Sequence, residues 1–184
     1  VTSDSSTLKE HIAHREEHWE RGEVVIGDRQ QRYGHKSKFV LFTGMNGVGK
    51  RAIARAIEKR LFEEKFQVYF LSLASFNSGF MHKQQMQEFL SKDQTLARLG
   101  ELARILTDTG QIFITTADDL DDYDVEVLRL LNEPNEILII NVGGVTFNKL
   151  APHLVLEANA DTDQSVDRIV NLMRTQDIIP DYEI

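Results

Sequence analysis

Phe39-Val40-Leu41-Phe42 followed by Gly44-Met45-Asn46-Gly47-Val48-Gly49-Lys50 is the stretch whose reading decides the fold. A short apolar run that breaks into a glycine loop and then a helix is the strand–loop–helix unit that cradles phosphate groups. The pattern G-x-x-x-x-G-K-[ST] presents backbone N–H groups to phosphate oxygens, sends a Lys to the terminal ones and uses the Ser/Thr hydroxyl to hold Mg²⁺. Gly44, Asn46, Gly47, Val48, Gly49 and Lys50 keep the cradle. The next residue is Arg51, which cannot ligate a cation and repels one. These seven positions are the candidate phosphate-binding residues, with ATP as the cofactor they could hold. Mg²⁺ lacks its hydroxyl, and no metal ligand set is assigned.

Outward from the loop, Ala52 to Glu64 carries Ile53, Ala56, Ile57 and Leu61 at helical spacing. Gln67 to Leu73 reads as a second strand, Gln84 to Leu90 and Leu96 to Leu106 as helices, and Ile112-Phe113-Ile114 as a third strand. A helix over Asp122 to Leu131, strands over Glu136 to Val142 and His153 to Leu156, and a helix over Ser165 to Arg174 complete the alternation. Upstream, Ser6 or Thr7 caps a helix through about Glu20, stopped by Gly22, and a loop leads to His35. Continuous apolar strands alternating with helices predict a parallel sheet covered on both faces. The expected organisation is an N-terminal helical arm and linker (1–36) and a P-loop α/β domain (37–184).

Composition narrows the function classes. The chain has 184 residues, 41% of them apolar, and a net charge of −8. That acidity disfavours general affinity for nucleic acid. The absence of cysteine removes disulfides and thiolate chemistry, and a cytoplasmic setting fits. No apolar run approaches the ~20 residues of a membrane span. A first residue of Val1 rather than Met suggests a piece of a longer polypeptide.

Arg32-Tyr33-Gly34-His35-Lys36, Phe42-Thr43-Gly44, Ile53-Ala54-Arg55-Ala56 and Arg60-Leu61-Phe62-Glu63-Glu64 together resemble adenylylsulfate kinase. So do Arg98-Leu99-Gly100-Glu101-Leu102-Ala103 and Ser165-Val166-Asp167-Arg168-Ile169-Val170. The resemblance implies the nucleoside-monophosphate-kinase version of the P-loop NTPase fold, a five-stranded parallel sheet of order 2-3-1-4-5. It also implies ATP-dependent phosphorylation of adenylylsulfate to 3′-phosphoadenylylsulfate.

The departures fall where that family keeps its chemistry. Its D-G-D-N-V-R segment matches Ser72-Leu73-Ala74-Ser75-Phe76-Asn77, so Ala74 stands at the catalytic Asp position and no catalytic residue is assigned. Its F-I-S-P-Y segment matches Ala117-Asp118-Asp119-Leu120-Asp121, and its N-I-R-R keeps only Arg98. Only Asn141 to Ala151 joins the fourth and fifth strands, too short for the family's basic lid. Phosphoryl transfer depends on positioning and charge neutralisation. One lost stabilising group costs about 10²–10³ in rate by analogy with an oxyanion-hole donor, so several together predict impaired catalysis.

Arg98, Asp118 and Asp119 remain as candidate substrate-side residues. Asp118 to Glu126 is acid-rich and sits at the ligand-binding edge of an open α/β sheet. The same acids also suit the start of a helix. His11, His14 and His18 share a helical face, and His14 to His18 fits H-x-x-E-H, but no further zinc ligands are evident. His82 and Lys83 are candidate basic contacts. Phe76 and Phe80 either fill a pocket or form a partner surface.

Three readings follow. One is an adenylylsulfate-kinase-like domain with impaired catalysis, structural or nucleotide-sensing in a sulfate-activation or transport polypeptide. Its partners would be a nucleotide, other domains of that polypeptide and a second copy in a homodimer. The others are an active kinase with Asp118 or Asp119 recruited for Mg²⁺, and an interaction module without ligand.

Overall fold

In the computed structural model, which describes residues 2–80, 91–144 and 147–181, the chain forms a five-stranded parallel sheet of order β2-β3-β1-β4-β5. The strands are β1 (Lys38–Thr43), β2 (Val68–Phe70), β3 (Ile112–Thr116), β4 (Ile137–Val142) and β5 (Leu154–Leu156). The helices are α1 (Thr2–Glu17), α2 (Ile26–Tyr33), α3 (Lys50–Glu63), α4 (Leu73–Phe80), α5 (Lys92–Asp108), α6 (Asp122–Leu131) and α7 (Thr162–Thr175). The alternation, the sheet order and the parallel pairing agree with the sequence expectation.

The three central strands are buried along their length, and strand pleating divides their side chains between two cores. On one face Val40, Phe42, Ile114 and Ile140 meet α3 and α7 through Ile53, Ile57, Ile169 and Met173. On the other, Phe39, Leu41, Phe113 and Ile139 meet α5 and α6 through Leu96, Leu99, Ala103, Val125 and Leu128. Phe76 of α4, 4% exposed, packs into this second core, so the pocket-filling reading describes that ring.

Two elements were not expected from the sequence. The linker to His35 holds α2, started by Asp28 accepting the Val25 N–H and stopped by left-handed Gly34. Because α2 buries none of its residues, apolar periodicity carried no sign of it. The strand expected over Gln67–Leu73 is only three residues long. Ser72 intervenes, its hydroxyl accepting from the Ser75 N–H, and α4 begins at once, as N-capping serines do. The first helix also starts earlier than expected and ends at Glu17. The helix expected over Gln84–Leu90 and the pair His82 and Lys83 lie outside the described residues.

The N-terminal helix is docked onto the sheet's outer layer. Ile12 packs with Leu130 and Leu131 of α6. Arg15 donates to Glu101, to Glu16 and to the Leu131 and Glu133 carbonyls at the end of α6. Glu16 receives both Nε and Nη2 of Arg104, at 2.9 and 3.0 Å. The same guanidinium lies over the Trp19 ring, its Cζ 4.6 Å from the ring centroid.

Candidate functional site

The C-terminal ends of β1 and β3 build the site. Phe42 pairs with Thr116, so the loop leaving β1 and the chain leaving β3 emerge side by side. Gly44, Gly47 and Gly49 have φ of 136°, 83° and 94°, values that a side chain disfavours. At Gly44 the fold adds a second demand, because a Cβ there would lie 2.2 Å from the Val142 carbonyl oxygen. The turn delivers Lys50 and Arg51 into the first turn of α3, where free backbone N–H groups and the helix dipole favour an anion.

Lys50 is buried, 4% exposed, and its ammonium turns back on its own loop. It donates to the Gly44 carbonyl at 2.9 Å and to the Met45 carbonyl at 2.6 Å. It also pairs with Asp118 Oδ1 at 2.6 Å. The cleft around it, about 260 Å³, is lined by Asn46, Gly47, Gly49, Arg51 and Asn159, among others. Asn159 was not a sequence candidate. Its φ of 53° and its N–H bond to the Val48 carbonyl hold the chain after β5 against the loop. Only its left-handed backbone, which Asn tolerates, could have hinted at it.

The other acids turn to structural tasks. Asp121 accepts from the Asp124 N–H and Asp124 from the Asp121 N–H, a reciprocal cap on α6. Asp124 also pairs with Lys92 at 2.6 Å. Asp122 accepts the N–H groups of Asn148, Lys149 and Leu150, and these bonds hold its carboxyl below the usual range. Asp119 is exposed, and its carbonyl receives Lys92. Arg98 is exposed on α5, and neither it nor Asp119 lines the cleft. Ala74 is exposed near the start of α4. Of the substrate-side candidates, Asp118 alone is brought to Lys50.

The histidines also have fixed places. Stacked His14 and His18 lie 4.1 Å apart, and His11 meets Glu101 at 3.0 Å. His35, buried, sits at the opposite end of the sheet from the glycine loop. Its Nε2 accepts the Gln67 N–H at 3.0 Å while its Nδ1 donates to the Lys36 carbonyl at 2.9 Å. A ring that accepts at one nitrogen and donates at the other is neutral. Burial pushes its pKa down, against the Lys36 bond.

Comparison with known proteins bears on this loop directly. The adenylylsulphate kinase family profile matches residues 36–119, from the segment before β1 through the chain that carries Asp118. Over that stretch, just under half of its length, the chain is similar to the adenylylsulfate kinase family. It is 33% identical over 120 residues to the adenylyl-sulfate kinase of Staphylococcus epidermidis, covering 65% of this chain and 60% of that enzyme. The chain thus spans about three fifths of the length of that curated relative. Among solved structures, a hexameric adenylylsulfate kinase of Thiobacillus denitrificans superposes with a TM-score of 0.67 at 20% identity, covering 83% of this chain and 32% of that one. The Mycobacterium tuberculosis adenylylsulfate kinase in complex with AMPPNP and adenylylsulfate gives 0.64 at 18% identity, covering 76% of this chain and 99% of that one. At these identities the likeness is one of fold. Among the described residues, no helix is long and apolar enough to cross a membrane.

Proposed function

We propose that this chain is a member of the adenylylsulfate kinase family that binds nucleotide phosphates at Lys50 and has impaired phosphoryl transfer to adenylylsulfate. Its role would be nucleotide sensing or structure in a cytoplasmic sulfate-activation or transport polypeptide. The observation that carries the reading is Arg51. It is exposed on the first turn of α3 and lines the same cleft as Lys50, at the position where the loop pattern needs a hydroxyl. Two cations, a glycine cradle and a helix N-terminus suit phosphate oxygens.

The same residues fit a divalent cation poorly. Position 51 offers a guanidinium, and the one carboxylate lining the cleft among the described residues, Asp118, is paired with Lys50. Ala74 leaves the position matching the family's catalytic Asp without a carboxylate. The nucleotide-bound fold neighbour supports a nucleotide as ligand here, and the hexameric neighbour supports self-association.

Calorimetric titration with ATP and ADP, with and without Mg²⁺, tests the binding half; affinity that survives chelation of Mg²⁺ is expected, and Lys50→Ala should abolish it. A coupled ADP-release assay with adenylylsulfate tests the catalytic half. Turnover above about 1 s⁻¹, the low end for kinases, would refute impairment. One observation favours the second reading, an active kinase. The Asp118 carboxylate stands at the loop, where it would be the residue to hold Mg²⁺.

A further inference from the structure

The Lys50 ammonium has three N–H bonds, and each has an acceptor: the Gly44 carbonyl, the Met45 carbonyl and Asp118. Two of those acceptors are backbone of the loop itself and leave only if the loop refolds. The third is a side chain from β3's end, with 39% of its side-chain surface exposed, free to swing into solvent. An arriving phosphate oxygen therefore reaches Lys50 by taking the place of Asp118.

We propose that Asp118 is an internal counter-anion that competes with ligand phosphate for Lys50 and so sets the affinity and selectivity of the loop. This deepens the phosphate-binding reading and rests on it. In the free protein the Asp118 carboxylate neutralises the buried ammonium, which would otherwise be costly to keep charged. Once displaced it stays tethered beside the cleft, so it repels the anion that replaced it. The cleft then holds Lys50 and Arg51 against one carboxylate. A single small anion recovers little more than the contact it breaks. A diphosphate can take both the Lys50 position and the loop N–H groups at once. The ligand class favoured is thus a nucleoside di- or triphosphate over inorganic phosphate.

The test is calorimetric titration of ADP, pyrophosphate and inorganic phosphate into the full chain, with metal chelated, for the native protein and Asp118→Asn. Removing a charge a few ångströms from a bound phosphate in a partly wet site should tighten ADP by about tenfold. Inorganic phosphate and pyrophosphate should both tighten, because each is freed of the same competitor at Lys50. Equal or weaker ADP binding in Asp118→Asn, with the native protein still binding, overturns the counter-anion while leaving phosphate binding intact. Failure of both proteins to bind any of the three overturns both readings. Asp118→Ala provides the same comparison if Asp118→Asn does not fold. In a parallel series with Mg²⁺, ADP affinity that rises in the native protein and is lost in the variant would make Asp118 a metal ligand and overturn the proposal.

Discussion

Replacing Glu16 with Ala should undock the N-terminal helix, and the magnitude can be worked from the contacts. Glu16 is the shared acceptor of Arg15 and Arg104. Arg104 has only 3% of its side-chain surface exposed, so the variant leaves a buried guanidinium short of two charge-assisted bonds. Removing one partner of a buried pair costs about 3–5 kcal/mol. Three features reduce that figure here. Arg104 retains Asp108 at 3.0 Å and the Trp19 ring, Arg15 retains Glu101 and two carbonyls, and Glu16 itself is 22% exposed, which lets water in. A loss of about 2–3 kcal/mol is expected, or about 4–12 °C in Tm for a chain of this size. Urea and thermal unfolding followed by circular dichroism would measure it. Glu16→Gln should lose less, and Glu16→Ala combined with Arg104→Met should recover part of the loss by removing the orphaned charge. A Glu16→Ala change below about 0.5 kcal/mol, the range of an ordinary surface substitution, would refute the idea that this network holds the helix down. The linkage has a sign as well. Burial opposes ionisation of Glu16, but bonds from Arg104 and Arg15 outweigh it and lower its pKa. Its contribution is therefore present above the unfolded value of 4.5 and lost as pH falls through the folded one.

Three further outcomes are expected. His35 has a lowered pKa from an ordinary 6.5, so the unfolded chain binds its proton first; stability should be full above about 6.5 and decline as pH falls below it, and His35→Gln should flatten that part of a pH–stability curve. Gly100→Ala sets a gain in helix propensity of about 1 kcal/mol against a Cβ placed 2.7 Å from Leu131 Cβ, where overpacking costs about 1–3 kcal/mol; a net loss near 1 kcal/mol should appear in urea unfolding, and a stabilised variant would contradict the close α5–α6 approach. Arg51→Ser restores the loop's hydroxyl, so Mg²⁺ should strengthen ATP binding in that variant and leave the native protein unchanged, as read by calorimetry.

The sheet was legible because its signals are local and redundant. Continuous apolar runs at Phe39–Phe42, Ile112–Ile114 and Ile137–Ile140 each read as a buried strand, and the glycine loop fixed which strand came first. The helix α2 was illegible for the converse reason: it buries no residue, so no apolar stripe marks it. The end of β2 was misjudged because Leu71 and Leu73 continue the apolar run past Ser72, which caps the next helix. At the site, the loop residues were legible because backbone geometry restricts them to glycine. The acids were not separable, since Asp118, Asp119, Asp121, Asp122 and Asp124 look alike along the chain.

By itself, then, the order of residues determined the alternating architecture, the glycine loop and the substitution of Arg51 for a hydroxyl, because each depends on neighbours within a few positions. Tertiary structure alone decided which of five acids reaches the cradle. The parallel register of Phe42 with Thr116 carries Asp118 to Lys50 across 68 positions, while capping and loop contacts take Asp121, Asp122 and Asp124 elsewhere. Sequence distance carries no information about that choice; strand pairing does.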